Sequence, residues 1–194
     1  RDRSPSRGLG DVYKRQIERI SNTVEKKKVK SLCNKILKKC SFKSENDLRN
    51  ISSLATWLYI YGFYDEMIEV CDLVKDVEFS GNYNLWFIPD MTMCLKSRVL
   101  RERGMHKESH ILMDKVNKYR HPELYKNLVD SYERKMDLNI AEELKNRPKS
   151  LAEVWRFSKL QFAVRFREAG NFPIPDEKFD SDIRDLVAIL KKVK

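Results

Sequence analysis

Two histidines four residues apart form the first arrangement in this chain with a geometry suited to chemistry. His106 and His110 have the spacing at which two imidazoles on one helix face hold a metal ion. The zinc-hydrolase pattern needs a glutamate directly after the first histidine, whereas Glu108 comes one residue later, and no third ligand is evident. His106 also aligns with Tyr64 when the chain is shifted by 42 residues, which favours partial burial. We therefore expect no metal ion.

Catalysis has equally little support in the residue types present. A nucleophilic Ser or Cys needs a positioned base, and no motif places one of the three histidines beside such a residue. Paired carboxylates such as Glu142/Glu143 and Asp176/Glu177 are neighbours in sequence and do not face each other across a cleft. No glycine-rich phosphate loop occurs. The sequence predicts a protein that is not an enzyme and holds no cofactor.

The elements that would position any site are helices. Only six Gly and six Pro occur in 194 residues, and 35% of the residues are charged, which favours helices over short strands. A capping signal at Ser44–Asp47 opens a helix that ends near Gly62. The helix at about 150–169 is apolar nearly all round, so we expect it to be buried between neighbours. Apolar spacing predicts further helices over about 17–40, 64–74, 90–103, 105–119, 122–136, 138–146 and 179–193.

The segment 77–89 (VEFSGNYNLWFIP) interrupts the helical pattern. Gly81, two Asn and Pro89 indicate a loop, although the segment carries several aromatic and aliphatic side chains. A loop this apolar must pack against another surface. Tyr83 and Trp86 are therefore candidates for binding a partner, and the alternative is that they cover an exposed edge of a helix pair.

An internal repeat organises the centre of the chain. A shift of 42 residues superposes Ala55 on Ser97 and Gly62 on Gly104, and a shift of 108 places Ala163 on Ala55. A small residue lets a neighbouring helix approach closely, and a helix-ending Gly adopts the left-handed conformation that reverses the chain. The repeat predicts helix hairpins with a small residue at each helix contact.

The run LATWLYIYGFYDEMIEVCDLV (54–74) resembles the tetratricopeptide repeat in its small residue, glycine, Tyr-Asp-Glu and apolar face, and 100–116 is a weaker copy. The resemblance covers about 48–118 and, in part, 151–172. It departs from the family in its 42-residue spacing, its aromatic segment 77–89 and its lack of a proline after each pair. These departures favour an all-α, irregular stack of antiparallel helix hairpins, with relatives expected among uncharacterised bacterial proteins.

The resemblance implies that the first helix of each hairpin lines an inner, ligand-binding face. Tyr59 would then lie near Arg98 and Arg101, whose i, i+3 spacing suits bidentate binding of a carboxylate. The predicted function is protein–protein interaction, with a protein or an acidic peptide as partner. The alternative for the two arginines is pairing with the acidic block of the preceding helix, which consists of Asp65, Glu66, Glu69 and Asp72.

Two further functions remain open. The chain carries a net charge of +10, but residues 17–50 hold ten basic and four acidic side chains while residues 51–90 hold one and seven. Nucleic-acid binding through the basic segment Lys26–Lys39 is the weaker alternative, because an acidic block interrupts the basic field. The other alternative is a bacterial immunity or antitoxin protein that neutralises a toxin.

Cysteine usage and hydropathy indicate the compartment. The cysteines at 33, 40, 71 and 94 form no C-x-x-C pair and fall on apolar helical positions, so we expect reduced thiols in a cytoplasmic protein. No stretch approaches 18 consecutive apolar residues, so no membrane span is expected.

The first sixteen residues are treated separately. The segment 1–16 (RDRSPSRGLGDVYKRQ) lacks an initiating Met and resembles the translation of sequencing-adapter DNA, with a disordered basic tail as the alternative. We expect residues 17–194 to form a single domain, whose oligomeric state the sequence leaves open.

Overall fold

The computed structural model describes residues 26–38, 40, 44–75, 83–118, 149–168 and 176–192, and each regular element among them is an α-helix. The predicted all-α class is thereby confirmed. The predicted helices over 122–136 and 138–146, the tail 1–16 and residues 17–25 lie outside the described residues. The described helices are α1 Lys26–Leu37, α2 Glu45–Tyr61, α3 Tyr64–Asp72, α4 Tyr83–Glu102, α5 His106–Lys118, α6 Lys149–Glu168 and α7 Asp176–Lys192.

Two hairpins, α2–α3 and α4–α5, turn at glycines. Gly62 and Gly104 have φ angles of 80° and 78°, in the left-handed region that is strained for residues with a Cβ atom. The residue after each glycine donates its N–H to the carbonyl five positions back, at 2.9 Å in both hairpins. At the start of α2, Asp47 N donates to Ser44 Oγ at 3.1 Å. The predicted glycine turns and the predicted cap are therefore confirmed.

Small residues lie at the contacts between the central helices. α4 packs against both α2 and α6, and these three helices form the centre of the fold. α3 and α5 pack on the outside of α4, α7 packs on α6 and α2, and α1 packs on α3. Ala55, Ser97 and Ala163 are all 0% exposed, as the repeat predicted. Small side chains at these positions let the helices approach closely. One continuous cluster of buried side chains has members in all seven described helices.

The start of α4 differs from the sequence prediction. α4 begins at Tyr83, so the predicted loop over 77–89 is wrong for residues 83–89, and Pro89 lies inside the helix. Burial gives the physical reason, because Ile88 and Asp90 are only 2% and 0% exposed. Packing on this scale outweighs the backbone hydrogen bond that proline removes. Residues 77–82 lie outside the described part of the chain.

Charged and polar side chains of α6 lie in the interior together with its apolar ones. Residues 159–161 and 163–165 are all buried, which confirms that α6 lies between neighbours, and Lys159, Gln161 and Arg165 are among them. Polar groups in such positions require partners inside the protein. None of the helices in the described ranges is both long enough and apolar enough to span a bilayer.

Candidate functional site

The predicted ligand-binding arginines lie where four helices meet. Arg98 and Arg101 of α4 face α2, α6 and α7, and the last two helices cover the surface on which a ligand was expected. Three arginines, three carboxylates and one tyrosine converge at this point. We call this cluster the arginine seam, and it consists of Tyr59, Arg98, Arg101, Glu102, Arg167, Glu168 and Asp180.

Arg98 is the centre of the arginine seam. Its side chain is 4% exposed, and its Nε donates to Tyr59 Oη at 2.8 Å and lies 2.8 Å from Glu102 Oε1. Its Nη1 donates to Asp180 Oδ1 at 2.7 Å. Tyr59 Oη in turn donates to Glu102 Oε1 at 3.5 Å. A buried guanidinium is thereby surrounded by acceptors on α2, α4 and α7, which is the arrangement a buried charge requires.

The other two arginines complete the arginine seam. Arg101 makes a fork to one carboxylate, with Nη2 2.9 Å from Glu168 Oε1 and Nε 3.4 Å from Glu168 Oε2. Asp180 Oδ1 also accepts from Arg101 Nη2 at 3.4 Å and from Arg167 Nε at 3.2 Å. Charge-assisted and bidentate pairs of this kind are among the stronger hydrogen bonds in proteins. The charges therefore join α7 and the end of α6 to α4.

The electrostatics of the arginine seam favour its charged forms. Burial alone would raise the pKa of the Asp180 carboxyl, but the guanidiniums of Arg98, Arg167 and Arg101 outweigh burial and lower it. Burial likewise would lower the pKa of Arg98, whereas Tyr59, Asp180 and Glu102 hold it above its usual value. The pKa of Tyr59 is raised, mainly by burial, so this tyrosine stays a neutral hydrogen-bonding group.

The structure corrects the expected exposure of three predicted partner-binding residues. Tyr59 is 5% and Arg98 4% exposed, and the Arg101 side chain is 25% exposed. These arginines do bind carboxylates, but Glu168 and Asp180 belong to the same chain. A partner would reach Tyr59 and Arg98 only by displacing the helices that cover them, α6 and α7. Binding of a partner's carboxylate at this face stays a prediction.

The alternative prediction, that these arginines pair with the acidic block of the preceding helix, is also wrong. The acidic block of α3 does not pair with Arg98 or Arg101, whose carboxylate partners are Glu102, Glu168 and Asp180. Instead, Asp65 pairs with Arg103 at 2.8 Å, Glu69 pairs with Lys30 at 3.0 Å, and Asp72 pairs with Lys96. The block lies on the outer side of the hairpins because α3 is the second helix of its pair.

The carboxylates of the arginine seam were not identified from the sequence. Glu168 and Asp180 lie 67 or more residues beyond the arginines of α4 that they contact, so no local spacing connects them. One signal was present: charged residues occupy a helix, α6, whose apolar pattern predicts burial on all sides. Each such charge requires a buried partner of opposite sign somewhere in the chain.

A second buried ion pair joins α4 to α6. Arg165 of α6 contacts Asp90 Oδ2 through Nε and Nη2, and the two residues are 5% and 0% exposed. Gln161, one turn earlier on α6, donates to Thr56 Oγ1 of α2 at 2.9 Å. These polar contacts hold α2, α4 and α6 in register. The side chains of Arg165 and Asp90 are buried and therefore not open to a ligand.

An open groove lies on the opposite, outer side of the hairpins. It has a volume of about 580 Å³ and runs between α3 and α5, both of which pack against α4. Ile111 is 59% and Met105 40% exposed, while Leu100 beneath them is 7% exposed. A concave surface with an apolar lining and a few polar groups at its rim is a candidate binding site. We call it the outer groove, and its apolar lining consists of Ile68, Leu100, Met105, Ile111 and Leu112.

Charged residues line both ends of the outer groove. Near the α4–α5 turn, Arg103 Nη2 lies 2.8 Å from Asp65 Oδ1, and Glu108 lies on the facing wall. At the far end are Lys96 and Lys115. Lys96 pairs with a carboxylate of α3, and Lys115 Nζ donates to the Lys75 carbonyl at 3.4 Å. Each end of the groove therefore holds one ion pair and one further charge, which is the Glu108 carboxylate at the turn and the Lys115 ammonium group at the far end.

The basic helix α1 presents lysines away from the core. Its buried stripe is Val29, Cys33 and Ile36, and a shallow pocket of about 470 Å³ lies on its exposed side. The pocket is lined by Lys30, Ser31, Asn34, Lys35 and Lys38. Glu69 of α3 pairs with the first of these lysines and raises its pKa. Nucleic-acid binding through this helix stays a prediction.

The residues considered for metal binding are exposed. His106, for which partial burial was expected, is exposed because it lies at the first position of α5, beyond the turn. The His110 side chain is 81% exposed, with Nε2 3.6 Å from Asp114 Oδ2. Within the described ranges, no group of three His, Cys, Asp or Glu residues is placed to hold a metal ion.

The four cysteines carry free thiols in helical positions. Cys33, Cys71 and Cys94 are buried, and Cys40 is partly buried. Burial raises the pKa of the Cys33 thiol to about 12 and raises that of Cys71 as well. Because the thiolate is the nucleophilic form, the raised pKa keeps these two cysteines in the less reactive protonated form at neutral pH.

The remaining predicted partner-binding residues lie at the start of α4. Tyr83 is its first residue and Trp86 lies in its first turn, so both belong to a helix and not to the predicted loop. Their side chains lie outside the described part of the structure. Their proposed role in binding a partner stays a prediction.

Comparison with known proteins identifies the family of the chain. No curated protein and no solved structure matches it. A family model described as "Family of unknown function (DUF6707)" matches residues 11–156, which include α1 to α5 and the first turns of α6. The match therefore contains the outer groove and Arg98, whereas Glu168 and Asp180 lie beyond it. Since the match covers well over half of the sequence, the chain belongs to the DUF6707 family.

Proposed function

We propose that this protein is a non-enzymatic protein-binding module and that its docking surface is the outer groove. The single observation that carries this proposal is the exposure of Ile111 and Met105 on the rim of an apolar groove of about 580 Å³. Amphipathic helices commonly bind such grooves through apolar anchors on one face. The groove lies in the part of the chain that the family model matches.

The geometry favours the outer groove over the inner face. The inner residues Tyr59 and Arg98 are buried beneath α6 and α7. Ile183 and Leu190 of α7 are themselves 0% exposed. Displacing α7 would expose the Ile183 and Leu190 side chains to water, at a free-energy cost of about 1.5–3 kcal/mol for each. Docking in the outer groove requires no such rearrangement.

Repeated helix hairpins supply the scaffold for this proposal. The turns at Gly62 and Gly104, and the small residues Ala55 and Ser97 at equivalent helix contacts, support a tetratricopeptide-like origin of the two hairpins. In this proposal the first helices build the core and the second helices, α3 and α5, form the walls of the docking surface. Neutralisation of a toxin stays a prediction from the sequence, because no described contact favours it.

A matched pair of variants tests the proposed function. Ile111→Glu places a charge on the groove rim, and Ile189→Glu places the same charge on α7, where Ile189 is 39% exposed. With the tagged full chain as bait in extracts of its host, we expect Ile111→Glu to lose a partner that the unmodified chain and Ile189→Glu both retain. Equal capture by all three proteins would contradict docking in the groove.

A further inference from the structure

We propose that the occupant of the outer groove is an amphipathic helix of another protein that carries one basic and one acidic side chain about two turns apart, on either side of its apolar anchors. This inference rests on the proposed function and specifies the partner's chemistry at the same site.

The charges of the groove change sign along its length. Glu108 lies in the first turn of α5 and Lys115 lies seven residues later, so they are about 10 Å apart on one wall at 1.5 Å per residue. On the facing side each end holds an ion pair, Asp65 with Arg103 at the Glu108 end and Asp72 with Lys96 at the Lys115 end. These pairs largely cancel, so Glu108 and Lys115 set the sign of the field at the two ends. The summed field is therefore negative at one end and positive at the other.

Apolar contacts occupy the stretch between the charged ends. Ile111 lies three residues after Glu108 and four residues before Lys115, so it lies on the same helix face as both. Leu100 of α4 forms the floor opposite. A partner helix with apolar side chains at positions p+3 and p+4, and charges at p and p+7, presents one complementary face to this surface.

A second copy of the chain fits this surface poorly. If two α5 helices paired antiparallel around Ile111, the residue four positions before it would face the residue four positions after it, and these are Lys107 and Lys115. The residues at three positions before and after, Glu108 and Asp114, would also face each other. Like charges in such pairings are unfavourable, so the surface favours a different protein as partner.

Synthetic helices provide defined probes. We would label three alanine-based peptides of about 20 residues, long enough for an isolated helix, that share two leucines at p+3 and p+4. They differ only at p and p+7, which carry Glu and Lys, two Lys, or two Glu. In fluorescence anisotropy with the full chain, we expect the mixed peptide to bind about three- to tenfold more tightly than either of the others, because each mismatch replaces an attraction by a repulsion.

A charge-reversal variant tests the direction of this preference. Glu108→Lys makes both ends of the groove positive, so the peptide with two Glu should become the tightest ligand. Ile111→Glu should weaken binding of all three peptides at least tenfold, and Ile189→Glu should leave the three affinities unchanged.

The possible outcomes separate the two proposals. Equal binding of the three peptides, abolished by Ile111→Glu, would overturn the charge inference and leave the groove as a docking site. If none of the three peptides binds, both the charge inference and the proposed docking function are overturned. Sedimentation of the unmodified chain as a dimer that Ile111→Glu dissociates would show that a second copy is the occupant and would overturn the choice of a different protein.

Discussion

The arginine seam and the outer groove lie on opposite sides of α4. Charged side chains are buried in the arginine seam and exposed in the outer groove. In the seam, Arg98 is 4% exposed and is surrounded by acceptors from three helices. In the groove, Arg103 makes one exposed pair with Asp65, whose side chain is 71% exposed. The same residue type thus fixes the fold on one side and lines an open surface on the other.

The comparison shows why a carboxylate-binding pattern does not by itself identify a ligand site. The i, i+3 arginines of α4 bind carboxylates as their spacing predicts, but the chain supplies those carboxylates itself. Arg98 and Glu168 are 4% and 3% exposed, and charges buried to this degree belong to the fold, because neither sign can remain inside without the other. A surface that is open in the folded chain, with apolar side chains exposed, is the better indicator of an external partner.

The largest difference between the two regions should appear when an arginine is removed. Arg98→Ala removes a buried guanidinium that bonds to Tyr59, Glu102 and Asp180. At about 1.5–3 kcal/mol for each hydrogen bond to a charged group, we expect the free energy of unfolding to fall by about 3–5 kcal/mol. Urea denaturation followed by circular dichroism measures this change. The matched control is Arg49→Ala, which removes an i, i+4 pair with Glu45 whose side chains are 43% and 45% exposed. That substitution should change the stability by less than about 1 kcal/mol, and equal effects would contradict the comparison.

A smaller effect is expected from the one carboxylate that three arginines share. Asp180→Asn keeps the shape of the side chain but removes its charge, and we expect a loss of about 1–3 kcal/mol. The Asp180 pKa is lower in the folded than in the unfolded state, so its stabilisation is present above the usual carboxyl pKa of 3.8 and is lost as the pH falls below about 4.

The pH dependence gives this prediction its own control. In urea titrations between about pH 2 and 6, the stability of the unmodified chain should decline more steeply at the acidic end than that of Asp180→Asn. Parallel curves for the two proteins would show that the charge of Asp180 does not stabilise the folded state. Packing, and not ion pairing of Asp180, would then hold the helices of the arginine seam together.

Local patterns predicted much of the fold correctly. The cap at Ser44 and the glycine turns depend on residues within a few positions of one another, and the buried positions Ala55 and Ser97 follow from the 42-residue repeat. Residue types alone indicate these features, because capping side chains and helix-ending glycines determine the local backbone conformation. The all-α class follows from the same periodicity.

The errors arose where distant parts of the chain decide the outcome. The start of α4 was predicted as a loop because Pro89 signals a break, and only the burial of Ile88 shows why the helix continues through it. The expectation that Arg98 lies open failed for a related reason, since its coverage depends on α6 and α7. The outer groove was not predicted either, because the exposure of Ile111 depends on how α3 and α5 both pack against α4.

The smallest effect on stability should come from the residue with the largest effect on binding. Ile111→Glu replaces a side chain that is 59% exposed, so we expect the free energy of unfolding to change by no more than about 0.5 kcal/mol. The measurement is the same urea denaturation, compared with Leu95→Ala, which truncates a side chain of α4 that is 0% exposed and should lose about 2–5 kcal/mol. A loss at Ile111 comparable to that at Leu95 would mean that this side chain is part of the core. The outer groove would then resemble the arginine seam, as a surface already occupied by the chain itself.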